Sequence, residues 1–108
     1  MISLVVATVD RVAELERLFV SLDAQSYRDF EVIVVDQNPD DRLLPVLQQH
    51  TDLAILHLRS GRGLSHARNV GLLAAQGDIL AVPDDDCWYP EQLLHCVSTW
   101  LPRILNPM

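Results

Sequence analysis

The sequence predicts an α/β fold, doubly wound, with a mainly parallel sheet of about four strands and helices on both faces. Three observations carry this. Short apolar, β-branched runs alternate with amphipathic stretches, the links between them are only a few residues long, and no linker, low-complexity stretch or sequence repeat divides the 108 residues. Strands and helices that alternate through short connections imply right-handed crossovers and a parallel sheet. At this length about two thirds of the chain's surface can be buried on folding, so a core without disulfide or metal staples is expected.

Each element follows from a local pattern. Ile2 to Val9 form a nearly continuous β-branched run, as in a strand buried on both faces. Asp10 offers an N-cap for a first helix, in which Val12, Leu15, Leu18, Phe19 and Leu22 recur at helical spacing and which ends near Ala24. Phe30 to Val35 is a second buried strand, halted by the turn-rich Asp36-Gln37-Asn38-Pro39-Asp40-Asp41. Leu43, Leu44, Val46 and Leu47 predict a short second helix that tolerates Pro45 in its first turn. Leu53 to Leu58 fits a third strand, and Ser60 to Gly63 a loop. Leu64 to Gln76 follows as a helix, with Gly77 as its C-cap. Asp78 to Val82 is the fourth strand, ended by Pro83. Pro90 suits the first position of a last helix running through Leu93, Leu94, Val97 and Leu101.

Charge narrows the partners. Fifteen acidic against eight basic residues, a net charge of −7, argue against a nucleic-acid surface, which needs clustered cations. All eight bases are arginine. The absence of lysine removes phosphate loops built on one and disfavours a phospho-receiver domain, whose acidic pocket a lysine would complete. A phosphate ligand would therefore be held by arginine, backbone N–H groups or a metal ion. No apolar run approaches the roughly 20 residues that span a bilayer, so no transmembrane segment is expected. The N-terminus lacks the basic region of a secretory signal, and a cytoplasmic location is expected, with membrane association only in a full-length context. Cys87 and Cys96 make no disulfide framework or zinc spacing and read as reduced thiols.

In an open parallel sheet, ligands bind beyond the C-terminal ends of the strands, where strand order reverses. The residues there are Thr8, Asp10 and Arg11 after the first strand, Asp36, Asp40 and Asp41 after the second, and Asp84, Asp85 and Asp86 after the fourth. Carboxylates on one rim repel each other unless a cation or donors compensate them, which makes Mg²⁺ or Mn²⁺ the economical expectation. In an extended segment Asp84 and Asp86 can converge on one face while Asp85 points away or reaches another group. Taken alone the triplet reads as a solvated acidic turn; its place on the rim reverses that. The stretch Gly61-Arg62-Gly63-Leu64-Ser65-His66-Ala67-Arg68-Asn69 pairs glycines before a helix with the oxyanion-binding fork of Arg68. Plain turn glycines and a solvated arginine are the bland alternative. His66 suits a helix surface, and His50, His57 and His95 give no constellation. Ser65 has no partner for nucleophilic catalysis. Cys87, Trp88 and Tyr89 read as packing, although an aromatic beside a metal could border a sugar pocket.

Four motifs meet in order. They are Val5-Val6-Ala7-Thr8-Val9-Asp10-Arg11, Phe30 to Asp36, Gly63-Leu64-Ser65-His66-Ala67-Arg68-Asn69-Val70-Gly71, and Gly77-Asp78-Ile79-Leu80 leading to Asp84-Asp85-Asp86. In this order and spacing the chain resembles the N-terminal half of family-2 glycosyltransferases, GT-A fold enzymes that transfer a sugar from a nucleotide-sugar donor. The resemblance implies that Thr8 and Asp36 contact the base and that Arg68, Asp10 and Asp85 belong to the nucleotide site. Asp84 and Asp86 would be the D-x-D pair, holding ribose and a divalent metal on the diphosphate. The donor would be a nucleoside-diphosphate sugar, UDP being the favoured nucleotide. Asp10 stands where the motif has Asn, and Gln37-Asn38-Pro39 where Asp-Gly-Ser is usual.

By the same resemblance, residues 1–101 would be the donor-binding half and 102–108 a tail. No acceptor site or general base is found, so no catalytic residue is named and the 108 residues alone are expected to be inactive. A non-catalytic remnant or interaction module that keeps the fold is the alternative. The edge of the fourth strand is expected to lie open and to favour self-association.

Overall fold

A computed structural model describes residues 1–85, 89–91 and 93–95. The elements are β1 (Ile2–Thr8), α1 (Val12–Asp23), β2 (Phe30–Asp36), α2 (Leu44–Gln49), β3 (Ile55–Arg59), α3 (Leu64–Ala74) and β4 (Ile79–Ala81). The sheet order is β3-β2-β1-β4 and every pairing is parallel, with Val5 opposite Ile33 and Thr8 opposite Asp36. The chain moves outward from β1 to β3, then returns to the other side of β1. Strand order thus reverses at β1, and the crevice beside β4 is the place for a ligand.

The continuous apolar runs of β1 and β2 are explained by what covers them. Ile2, Leu4, Val6, Phe30, Val32 and Val34 pack on one face with Leu15, Leu18, Phe19 and Leu22 of α1 and with Leu43 and Val46 around α2. Alternate residues Val5, Ile33 and Val35 pack on the other face against Ala67 of α3. Both faces of the central strands are therefore dry, and the fold is doubly wound as the alternation predicts. Gly71 lets α3 lie close: a Cβ there would come within 2.4 Å of Val5 Cγ1.

Several boundaries differ from the local reading. Arg11, not Asp10, occupies the N-cap of α1, and no side chain caps that helix. Asp10 instead adopts a left-handed φ of 59°, and its carboxylate turns to Arg42 and Arg62. The third helix ends at Ala74, and extended Ala75 is its C-cap. Gly77 lies beyond it for a steric reason: its N–H donates to Ser3 Oγ at 2.7 Å, and a Cβ would stand 2.6 Å from the Met1 carbonyl. The third strand is shifted to Ile55–Arg59, and β4 is only three residues long, paired with Ile2, Ser3 and Leu4.

After β4 the chain returns to α1. The Gln25 amide donates to the Pro90 carbonyl at 2.7 Å and its Oε1 accepts from the Leu94 N–H at 3.0 Å. The last expected helix falls mostly outside the described residues, as do Asp86, Cys87, Trp88 and the tail 102–108. Among the described residues no helix is long and apolar enough to cross a membrane.

Candidate functional site

A cleft of about 500 Å³ opens where the C-terminal ends of β1 and β4 meet the start of α3. Ala7 and Val9 come from the end of β1, Gln37 from the turn after β2, and Arg62, Gly63 and Leu64 from the loop into α3. Arg11, Arg68, Asp84 and Asp85 supply its charges. Gly63 has a φ of 137° as the N-cap of α3, a conformation that favours glycine, and no side chain caps that helix end. Its N–H donates to Gln37 Oε1 at 3.0 Å, which fixes the two loops to each other.

The structure brings four expected residues together here. An Arg68 amino nitrogen stands 3.4 Å from Asp84 Oδ1, and Arg11 Nε stands 3.5 Å from Asp85 Oδ1. Asp10 joins from one side, 3.2 Å from Arg62. Thr8 and Asp36 are placed differently: both lie behind the wall rather than on it. Thr8 is 1% exposed, and its Oγ1 has no hydrogen-bond partner among the described residues. Asp36 is fully buried; its Oδ1 accepts from the Asn38 N–H at 2.9 Å and the Asn38 side-chain amide at 2.8 Å. Its Oδ2 faces His57 Nε2 at 2.9 Å. Asp86 lies outside the described residues.

Two expectations are corrected. His57 has a constellation, with Asp36, and His50 another, between Glu16 and Asp23. Arg62 and Gln37 were not singled out as site residues, yet both line the cleft. The signal for Arg62 was its place between the two glycines of the loop; Gln37 carried none beyond following Asp36. Nearby, the hydrogen bond from Arg42 is the main reason the Asp40 carboxyl titrates below its ordinary value.

As a donor set, Asp84 and Asp85 offer hard carboxylate oxygens beside arginine forks. No group of three His, Cys, Asp or Glu able to hold a metal occurs among the described residues. Such a set fits a cation that takes one or two carboxylates and completes its shell with phosphate oxygens and water, the usual habit of Mg²⁺.

Residues 3–101 match the family model described as glycosyl transferase family 2. The chain belongs to this family. It is 33% identical over 93 residues to an uncharacterized glycosyltransferase of Haemophilus influenzae, covering 85% of this chain and 32% of that protein. It is also 33% identical over 107 residues to the GalNAc(5)-diNAcBac-PP-undecaprenol beta-1,3-glucosyltransferase of Campylobacter jejuni, covering 94% and 34%. Among solved structures, the mannosyltransferase PcManGT of Pyrobaculum calidifontis, in complex with GDP-Man and Mn²⁺, matches with a TM-score of 0.82 at 29% identity. That match covers 93% of this chain and 32% of the mannosyltransferase. Residues 1–349 of S. aureus TarS share the fold, with a TM-score of 0.86 at 24% identity over 94% of this chain and 32% of that one. This family-2 chain thus has the GT-A, Rossmann-like fold, and it spans about a third of the length of the curated relatives it matches.

Proposed function

We propose that the cleft is the donor site of a sugar transferase. It holds a nucleoside-diphosphate sugar, with Mg²⁺ or Mn²⁺ on the diphosphate, for transfer of the sugar to a glycan or other acceptor. One observation carries this reading. At the point where strand order reverses, a cleft of about 500 Å³ gathers Arg11, Arg62 and Arg68 with Asp84 and Asp85 beside the uncapped start of α3. Arginine forks and helix N–H groups suit phosphate oxygens, carboxylates suit a hard cation, and the volume is that of a small-ligand site.

Within this reading Arg68 binds the diphosphate, Asp84 and Asp86 hold ribose and cation, and Asp10 and Asp85 position the arginines around them. Thr8 and Asp36 form the base end. The Thr8 hydroxyl, unpaired among the described residues, supports a ligand partner there, because a buried hydroxyl without one is costly. The cation, when bound, would neutralise charge growing on the departing nucleoside diphosphate as the sugar carbon becomes oxocarbenium-like. The Mn²⁺ and GDP-Man in PcManGT support a divalent cation and a nucleotide-sugar donor, and they put GDP beside UDP as a nucleotide to test. Residues 1–101 supply the donor side. No residue is assigned to the acceptor or to the general base in this reading.

Calorimetric titration with UDP and GDP, with and without Mn²⁺, tests the reading. The expected result is Mn²⁺-dependent binding of one nucleotide, weakened about tenfold or more by Asp86→Ala. Absence of binding of both nucleotides at millimolar concentration, with or without metal, rejects it.

A further inference from the structure

All three arginines lining the cleft meet a carboxylate. Arg11 stands 3.5 Å from Asp85, Arg62 3.2 Å from Asp10 and Arg68 3.4 Å from Asp84. An anion entering the cleft therefore meets neutralised pairs rather than bare cations. Of the three, Arg68 and Asp84 join the two ligand chemistries most directly: a guanidinium fork that suits an oxyanion and a carboxylate that suits a hard cation. Their contact is long, the Asp84 side chain is 69% exposed and that of Arg68 34%. An exposed pair of this kind is held weakly and parts at little cost.

We propose that Arg68 is an exchangeable counter-ion, bound to Asp84 in the unliganded cleft and passed to the diphosphate when a nucleotide binds. This rests on the donor-site reading above and adds a coupling to it. A nucleotide that draws Arg68 away uncovers Asp84 for the cation, and a cation on Asp84 frees Arg68 for the nucleotide. Each ligand binding alone must part the pair, and the second finds it already parted. Linkage requires the coupling to be reciprocal. It acts through the protein and precedes any direct contact between cation and phosphate.

The experiment removes the cation so that only the exchange remains. Wild type, D84N, R68Q and the double variant are titrated with UDP in the presence of a chelator, followed by amide chemical shifts. D84N strengthens metal-free UDP binding by about three- to fivefold in the otherwise wild-type protein, the range expected for releasing an exposed pair. The gain shrinks toward one in the R68Q background, where no guanidinium remains to be released. D78N, which removes an exposed carboxylate at the opposite end of the sheet, leaves UDP binding unchanged. In a separate measurement without nucleotide, R68Q strengthens Mn²⁺ binding, read from the free Mn²⁺ resonance, because the carboxylate has lost its competitor.

An equal gain from D84N in both backgrounds overturns the exchange, as does Mn²⁺ affinity that R68Q does not change. Absence of metal-free binding by all four proteins at millimolar UDP also overturns it. In each case Mn²⁺-supported binding of UDP to wild type leaves the donor-site reading standing. Failure of wild type to bind a nucleotide even with Mn²⁺ removes both.

Discussion

His50 bonds to Asp23 through Nδ1, closing the seam where α2 and α1 end side by side. Its Nε2 lies 3.1 Å from Glu16, and its ring meets the ring of Phe19 edge-on at 5.4 Å. Both ring nitrogens thus face carboxylates of α1, an arrangement that only the protonated ring satisfies with two donors.

That arrangement makes stability depend on pH. Burial disfavours the charged ring, but hydrogen bonds to Asp23 and Glu16, with their charges, outweigh it and raise the His50 pKa above its ordinary value. A histidine whose folded pKa exceeds its unfolded one contributes stability that is fully present below the unfolded value of about 6.5 and is lost as pH rises through the folded value. Urea denaturation is expected to give a higher midpoint at pH 6 than at pH 9. His50→Gln should remove most of that difference and cost about 1–3 kcal/mol at pH 6. Equal pH dependence in the variant would show that other groups carry it.

Gly71→Ala should destabilise the fold by about 1–3 kcal/mol, because its methyl would stand 2.4 Å from Val5 Cγ1 and 3.0 Å from Val35 Cγ2 in a packed layer. The neighbours are β-branched residues of central strands with little freedom to move. Gly61→Ala is the contrast, since nothing lies within 4 Å of a Cβ there. Thermal unfolding of the two variants should separate them clearly.

These two positions show what sequence alone could carry. The runs Ile2 to Val9 and Phe30 to Val35 were legible as doubly buried strands because burial on both faces leaves a continuous apolar signature. Gly71 was legible only as part of a motif: helical periodicity says nothing of how near a helix lies to its sheet. The Asp10 cap was misread because the partners that turn it, Arg42 and Arg62, are distant in sequence and reach it from two separate loops. His57 reads as isolated in the sequence for the same reason. Its neighbour Asp36 sits on the adjacent strand, and the register of β2 on β3 is set by tertiary packing. At the cleft, Arg68, Asp84 and Asp85 were recognisable from their place after a strand or at a helix start. Arg62 and Gln37 needed the loop geometry.

Asp36 therefore has two roles to separate. Its carboxylate is fully buried and holds the turn after β2 through Asn38, with His57 on its other oxygen. His57→Ala would leave that oxygen without its donor and should cost about 1–3 kcal/mol. Asp36→Ala, which takes the acceptor from the Asn38 N–H, the Asn38 amide and His57 at once, should cost more. Denaturation midpoints measured beside nucleotide affinity decide the matter. Loss of affinity in Asp36→Ala greater than in equally destabilised His57 variants assigns the carboxylate to the ligand, whereas parallel losses assign it to the turn.

The outer edge of β4 bears on assembly. In the described sheet β4 pairs only with β1, through three residues, and its Leu80 is 52% exposed, with Val82 just beyond it at 40%. An unpaired strand edge with apolar side chains is a template for another strand. Leu73 on α3 is 89% exposed and adds apolar surface elsewhere on the fold. The 108-residue chain is expected to self-associate, its weight-average mass by sedimentation rising across the micromolar range. Leu80→Lys should lower association by placing a charge on the edge, because a paired lysine would have to be desolvated. Leu73→Lys, away from the strand edge, should leave association largely intact if strand pairing drives it. If Leu73→Lys alone dissolves the assembly, the contact runs through the helix face. If wild type stays monomeric throughout, the β4 edge is too short to recruit a partner.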